Sequence, residues 1–240
     1  MSATVKPANI PDAVLVFKNE TKPEETKSGV SEYLPHFPFR ILAIGPPGSG
    51  KLGTFYNILA RMEPEADTVT VFHGNSKDEE YAPAAHLCTS GVVHMKTIAD
   101  IPNSDDLEAF YAGFDKTKRN ILVIDEIPTK NLGVKKREAL ARFPNYCSTH
   151  LNCGVFMCFQ TLTAIDPALR RGFNTFFIWW IPDRAQLVNI AERVGIPWAD
   201  FEQYLHLFHD PHDFLAIRTE LPESDPKRIT LNMFSPIVPA

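Results

Sequence analysis

The run Gly45-Pro46-Pro47-Gly48-Ser49-Gly50-Lys51 has the spacing G-x-x-x-x-G-K, a pattern suited to holding phosphate. Its glycines let the chain curl until consecutive backbone N–H groups face one anion, and a helix starting at the loop would add its positive end. Lys51 would bridge the β- and γ-phosphates of a nucleoside triphosphate. One position departs from the pattern. The Ser or Thr that ordinarily follows the lysine and reaches Mg²⁺ is Leu52 here. Thr54 is not a simple replacement, because two residues along a helix is about 200° of rotation.

A second group of residues supplies acid chemistry. Ile121-Leu122-Val123-Ile124 delivers Asp125 and Glu126 to the end of an apolar run, which is the form of a Walker B motif. Asp125 would hold Mg²⁺ through water, and Glu126 would act as general base toward the water attacking the γ-phosphate. Val155 to Phe159 is another apolar run and ends in Gln160 and Thr161. Gln160 would either orient that water or satisfy nearby backbone. An acid pair beside a phosphate loop favours ATP hydrolysis over phosphate transfer to a small metabolite.

These side chains need elements to carry them. Ile41–Ile44, Val69–Phe72, Val92–Met95, Ile121–Ile124, Val155–Phe159 and Phe176–Trp180 read as strands, and continuous apolar runs are the mark of parallel strands buried on both faces. Helices are expected at Thr54–Arg61, Asp105–Phe114 with Ser104 as N-cap, Val134–Tyr146, Asp183–Val194 and Trp198–Leu207. Gly195 followed by Pro197 would stop the fourth of these. The alternation gives an α/β fold of the P-loop NTPase (ASCE) type, with a central, mostly parallel sheet flanked by helices. Residues 1–36 read as an arm, disordered in part or making an assembly contact, 37–209 as the ATPase domain and 210–240 as a C-terminal extension. Phe214–Thr219 would be a further strand there, followed by a hairpin or a loose tail.

The chain of 240 residues has a formal net charge of −5, so nucleic acid would have to meet a local basic patch. No stretch approaches the ~20 apolar residues of a membrane span and no signal-peptide pattern opens the chain, so an intracellular, soluble protein is expected. Cys88, Cys147, Cys153 and Cys158 lack CxxC pairing and read as small, reduced core residues. Zinc held by Cys147, His150 and Cys153 is the alternative, without an evident fourth ligand. Trp179, Trp180 and Trp198 are expected to pack in the core.

FPFRILAIGPPGSGK, ILVIDE and STHLNCGVFMCFQTLTAIDPALRRGFNTFFIWW together resemble the DNA-packaging ATPases of poxviruses, related large DNA viruses, virophages and polinton-like elements, within the FtsK/HerA group. The resemblance runs from about Phe37 to Val194. Its most specific part is His150-Leu151-Asn152 leading into an apolar strand, then Gln160, then Pro167-Ala168-Leu169-Arg170. It implies ATP held by Gly45 to Lys51, Mg²⁺ and hydrolysis roles for Asp125 and Glu126, and a polar sensor role for Gln160. Leu52 breaks the family pattern. The resemblance further implies a pentameric or hexameric homo-oligomeric ring that pumps double-stranded DNA into a capsid, with capsid or portal-like vertex proteins as partners. The setting would be the viral assembly site in the host cell, or the virion.

A ring of this kind would complete each site with an arginine from the neighbouring subunit. Arg170, Arg171 and Arg142 are the candidates, a solvated helix end being the alternative for the first two. The most basic local run is Lys130 with Lys135-Lys136-Arg137, which would track DNA phosphates or form a solvated face. Two other readings remain open. A nucleotide kinase shares GPPGSGK but lacks support from Asp125-Glu126, Gln160 and an Arg-rich lid; an assembly protein with weak or lost hydrolysis draws on Leu52.

Overall fold

Apolar runs that alternate between two buried faces need helices on both sides, and a computed structural model of the chain, describing residues 3–5, 33–74 and 78–239, has this arrangement. The strands are β1 (Ala3–Val5), β2 (Arg40–Ile44), β3 (Thr68–His73), β4 (Val93–Thr97), β5 (Asn120–Asp125), β6 (Cys153–Phe159), β7 (Thr175–Trp179), β8 (Phe214–Arg218), β9 (Ile229–Leu231) and β10 (Ser235–Pro239). Their order in one sheet is β1-β10-β9-β8-β7-β2-β6-β5-β3-β4. From β7 through β4 neighbouring strands are parallel. From β7 outward through β8, β9, β10 and β1 each pairing is antiparallel. Residues 214–239 therefore continue the sheet rather than forming a loose tail.

Side chains alternate across the sheet as the pleat requires. Leu42 and Ile44 join one apolar cluster with Leu122, Ile124, Val155, Met157 and Phe143. Ile41 and Ala43 join the other with Phe55, Ile121, Val123, Phe156 and Phe177. The second face is covered by α1 (Lys51–Arg61) and α2 (Ala82–His86), which contribute Phe55, Ile58, Leu59 and Ala84. The first face is covered by α3 (Leu107–Ala112), α4 (Val134–His150), α5 (Pro167–Arg170), α6 (Arg184–Val194) and α7 (Trp198–Leu205).

Several helix expectations shift for local reasons. The segment expected as a helix from Asp105 opens as a 3-10 turn at Ser104–Asp106, and α3 starts only at Leu107. Ser104 is not a cap, since its hydroxyl donates to Glu138 Oε2 at 3.0 Å. α4 runs through Pro144 to His150, four residues beyond Tyr146. α6 begins where the sequence places it, with the Asp183 carboxylate accepting from the Ala185 and Gln186 N–H groups, and ends at Gly195 in the left-handed region. Trp179 is buried, whereas Trp180 lies beyond β7 and is 50% exposed, so it is not a core residue. Trp198 packs at the core margin, with the Arg184 guanidinium 4.9 Å from its ring centre.

All four cysteines are buried and unpaired. His150 is exposed and lies against the Tyr146 ring, and no group of three or more His, Cys, Asp or Glu side chains gathers among the described residues. No helix among those residues is long and apolar enough to cross a membrane. Of the arm expected over 1–36, residues 6–32, including the apolar run Ala13–Phe17, lie outside the described residues.

Phe156 ties β6 to α1 and β7, its ring centre lying 5.1 Å from that of Phe55 and 6.4 Å from that of Phe177. Truncating so large a buried aromatic costs about 3–5 kcal/mol. Phe156→Ala is expected to lower unfolding free energy by that amount in urea titrations.

Candidate nucleotide site

The loop 45–50 leaves the C-terminal end of β2 and turns into α1 at Lys51. Gly48 and Gly50 adopt φ of 73° and 97°, the left-handed region that a glycine enters without steric cost. A Cβ on Gly45 would lie 2.7 Å from Trp179 Cβ and 2.9 Å from Ser49 Oγ. The loop thus sits directly on the end of β7, and only a residue without a side chain fits there.

Lys51 is 7% exposed. Its Nζ donates to the carbonyls of Gly45 at 2.8 Å and Pro46 at 2.9 Å, and lies 3.5 Å from Glu126 Oε1. The Ser49 hydroxyl is buried, at 4% exposure, and has no hydrogen-bond partner among the described residues. A withdrawn ammonium held on loop carbonyls, an unpaired buried hydroxyl and two left-handed glycines fit a phosphate chain. Leu52 is partly buried against the α1-side core and brings no oxygen. Thr54 Oγ1 donates back to the Gly50 carbonyl at 3.1 Å, so, as its helical position requires, it does not replace the missing hydroxyl.

β6 lies between β2 and β5 and is hydrogen-bonded to both. That order brings the ends of three strands together. Gln160, just past β6, donates from Nε2 to Glu126 Oε2 at 2.8 Å, while Glu126 Oε1 faces Lys51. Glu126 has φ of 50°, a strain of order 1–3 kcal/mol for a residue with a side chain. Its N–H is anchored on the Cys158 carbonyl at 3.0 Å. Glu126 remains 37% exposed and, with Glu80, Pro128, Phe159, Gln160, Thr161 and Ala164, lines an open cleft of about 470 Å³.

Asp125, one residue earlier, accepts a hydrogen bond from Tyr81 Oη at 2.7 Å. Burial, then the Asp125 charge, push the Tyr81 hydroxyl far above its usual range, so it stays a donor. Tyr56 of α1 donates to the Glu80 carbonyl, tying the helix after the loop to the segment that carries Tyr81. Burial pushes the Cys158 thiol up too, with the Asp125 charge adding to it. Neither tyrosine was visible as a site residue from sequence: their partners lie 44 and 24 positions away, and no local pattern marks them.

The predicted arginines are placed differently. Arg170 donates through Nε and Nη2 to the Ile165 carbonyl at 3.1 and 2.7 Å; its guanidinium is engaged within its own chain, and burial pulls it below the ordinary arginine range. Arg171 caps α5 and is exposed, as is Arg142 on α4. None of the three has a described contact with Lys51, Asp125, Glu126 or Gln160. The basic run is largely occupied as well. Lys135 pairs with Asp105, Lys136 donates to the carbonyls of Ile98 and Ala99 at 2.8 and 2.9 Å, and Arg137 lies 3.5 Å from Asp166 Oδ2. Lys130 is exposed.

No protein-family model matches the chain, and no curated protein matches it. Among solved structures, the chain is similar to the genome packaging NTPase B204 from Sulfolobus turreted icosahedral virus 2 in complex with ATP-gammaS, at 15% identity and a TM-score of 0.54, covering 81% of this chain and 96% of that one. It is likewise similar to B204 described as the DNA-packaging ATPase from Sulfolobus turreted icosahedral virus, at 14% identity and a TM-score of 0.55, with the same coverage. At this identity the likeness shows the fold alone, a mixed α/β sheet, parallel in its larger part and flanked by helices.

Tyr81→Phe removes a hydrogen bond to a carboxylate, of the class that contributes about 1.5–3 kcal/mol. Asp125 is only half-buried, so water replaces part of it and a loss near 1.5 kcal/mol is expected, measured by equilibrium denaturation.

Proposed function

We propose that this chain is an ATPase that drives double-stranded DNA into a viral capsid, working as one subunit of a ring. The observation that carries the hydrolytic part is the convergence of Lys51, Glu126 and Gln160 over the 45–51 loop. An acid pair on the strand next but one to the phosphate-loop strand, with an amide on the strand between, is the equipment for activating water against a phosphate. The packaging part is supported by the sequence resemblance and by the fold shared with B204, which is described as a genome packaging NTPase.

On this reading, the backbone N–H groups from Gly48 to Lys51 and the start of α1 receive the β- and γ-phosphates. Lys51 exchanges the Gly45 and Pro46 carbonyls for phosphate oxygens. Glu126 takes the proton of the attacking water at one carboxylate oxygen. Gln160 holds the other oxygen and keeps that carboxylate turned toward the cleft. Mg²⁺, when bound, neutralises charge on the phosphates, and Asp125 is the residue that would hold it through water. Tyr81 fixes the orientation of Asp125 for that role. The missing hydroxyl at Leu52 leaves the metal with fewer protein contacts, so its affinity is set mostly by Asp125 and by the nucleotide itself.

The neighbouring subunit of a ring would complete the charge stabilisation. Arg171 is the better donor of such a group than Arg170, whose guanidinium already bonds Ile165. For DNA, Lys130 is the member of the basic run available without breaking a described contact.

Leu52 also supports a second reading, a nucleotide-binding assembly protein with weakened hydrolysis. Steady-state hydrolysis with Mg²⁺ separates the two. The motor reading expects turnover stimulated by double-stranded DNA, reduced about 10²–10⁴-fold in Glu126→Gln, the usual contribution of a general base, with ATP binding retained. Leu52→Ser is expected to lower the Mg²⁺ concentration needed for half-maximal rate. A wild type that turns over only after Leu52→Ser would instead mark the assembly protein, and DNA-independent turnover would leave an ATPase without the motor assignment.

A further inference from the structure

The turn 209–213 precedes β8, far along the chain from the phosphate loop, yet it closes over that loop. Trp179, whose Cβ abuts Gly45, donates from Nε1 to the His212 carbonyl at 3.1 Å. The His212 ring stands over the start of α1, with Nδ1 3.5 Å from where a Cβ on Gly50 would lie. His212 is exposed, and its Nδ1 lies on the side of the turn that meets the loop.

The turn is rigid by construction. Asp213 Oδ2 accepts from the His209 and Asp210 N–H groups at 2.7 and 2.9 Å, and the His212 N–H donates to Asp210 Oδ1 at 2.7 Å. Asn232, in the left-handed region at φ 50°, donates to Asp213 Oδ1 at 2.6 Å and accepts from the Phe214 N–H at 3.0 Å. Burial pushes the Asp213 carboxyl up, but the bonds from Asn232 and the two backbone N–H groups outweigh it and hold the group below its ordinary range. The β9–β10 turn therefore props the 209–213 turn, while Phe234 beside it receives the Arg61 guanidinium of α1 at 5.6 Å from its ring centre.

Direction follows from the strand order. Glu126 and Gln160 mark the γ-phosphate end, on the β6 and β5 side of β2, whereas β7 and β8 lie on the opposite side. A nucleoside triphosphate carries its nucleoside at the end opposite the γ-phosphate, so with the γ-phosphate beside Glu126 and Gln160 the nucleoside half points toward β7. We infer that the 209–213 turn is the nucleoside-side wall of the site, with His212 contacting the ribose or base of a bound nucleoside triphosphate; this rests on the nucleotide-site reading above. Asn232 acts through Asp213 as a positioning residue.

Inorganic tripolyphosphate has the phosphate chain without the nucleoside, so it separates the two halves of the site. Dissociation constants for ATP and for tripolyphosphate would be measured by calorimetry in the full chain and in His212→Ala, His212→Gln, Asn232→Ala and Lys51→Ala. His212→Ala is expected to weaken ATP about tenfold and leave tripolyphosphate unchanged, with His212→Gln recovering part of the loss and Asn232→Ala giving a smaller loss of the same selectivity. Unchanged ATP affinity in His212→Ala, or equal weakening of both ligands, overturns the nucleoside-wall assignment. If Lys51→Ala abolishes binding in those same experiments, the phosphate loop stands and only the wall is lost; if Lys51→Ala changes nothing, the nucleotide-site reading fails with it.

Discussion

A lysine ammonium withdrawn from water has to be compensated, and the rest of the site is arranged around that requirement for Lys51. An unpaired buried charge would cost several kcal/mol. Two loop carbonyls and the Glu126 carboxylate meet the need. The carbonyls are available because Gly48 and Gly50 turn the loop back on itself. The carboxylate is available because Glu126 accepts a left-handed backbone that swings it off the axis of β5. An anionic group seated on the loop could take the place of the carbonyls without leaving the ammonium uncompensated.

That arrangement depends in turn on strand order. With β6 between β2 and β5, the amide of Gln160 reaches the acid beside the loop. On the other flank, β7 presses Trp179 against Gly45 and passes the contact to the 209–213 turn. The loop is held between an acid-bearing flank and a flank supplied by the antiparallel end of the sheet.

What could be seen in the sequence was what local pattern encodes. The 45–51 spacing, the Ile121–Glu126 run and the Asp183 and Gly195 boundaries of α6 are each set by residues within a few positions of one another, and each lies where the pattern puts it. Leu52 stood out because one position of a fixed pattern was wrong. Tyr81, His212 and Asn232 were invisible because their partners are fixed by strand order, and nothing near them in the chain announces it. Ser104 looked like a cap but met Glu138, 34 positions away, first. Trp180 continued an apolar run that the sheet ends one residue earlier. The arginines and lysines read as contacts to a neighbouring subunit or to DNA, or else as a solvated face, yet Arg170, Lys135, Lys136 and Arg137 all found partners in their own chain, since composition gives charge but not its neighbours.

The clamp between Asn232 and Asp213 has a temporal side. Translation delivers the phosphate loop and α1 early, and the strand bearing Asp125 well before β8. Asn232 follows all of these in the chain and is made after them. Lys51, Asp125, Glu126 and Gln160 are therefore all synthesised before the 209–213 turn and the Asn232 that props it. The flank of the loop beyond Trp179 is thus the later-made side of its surroundings.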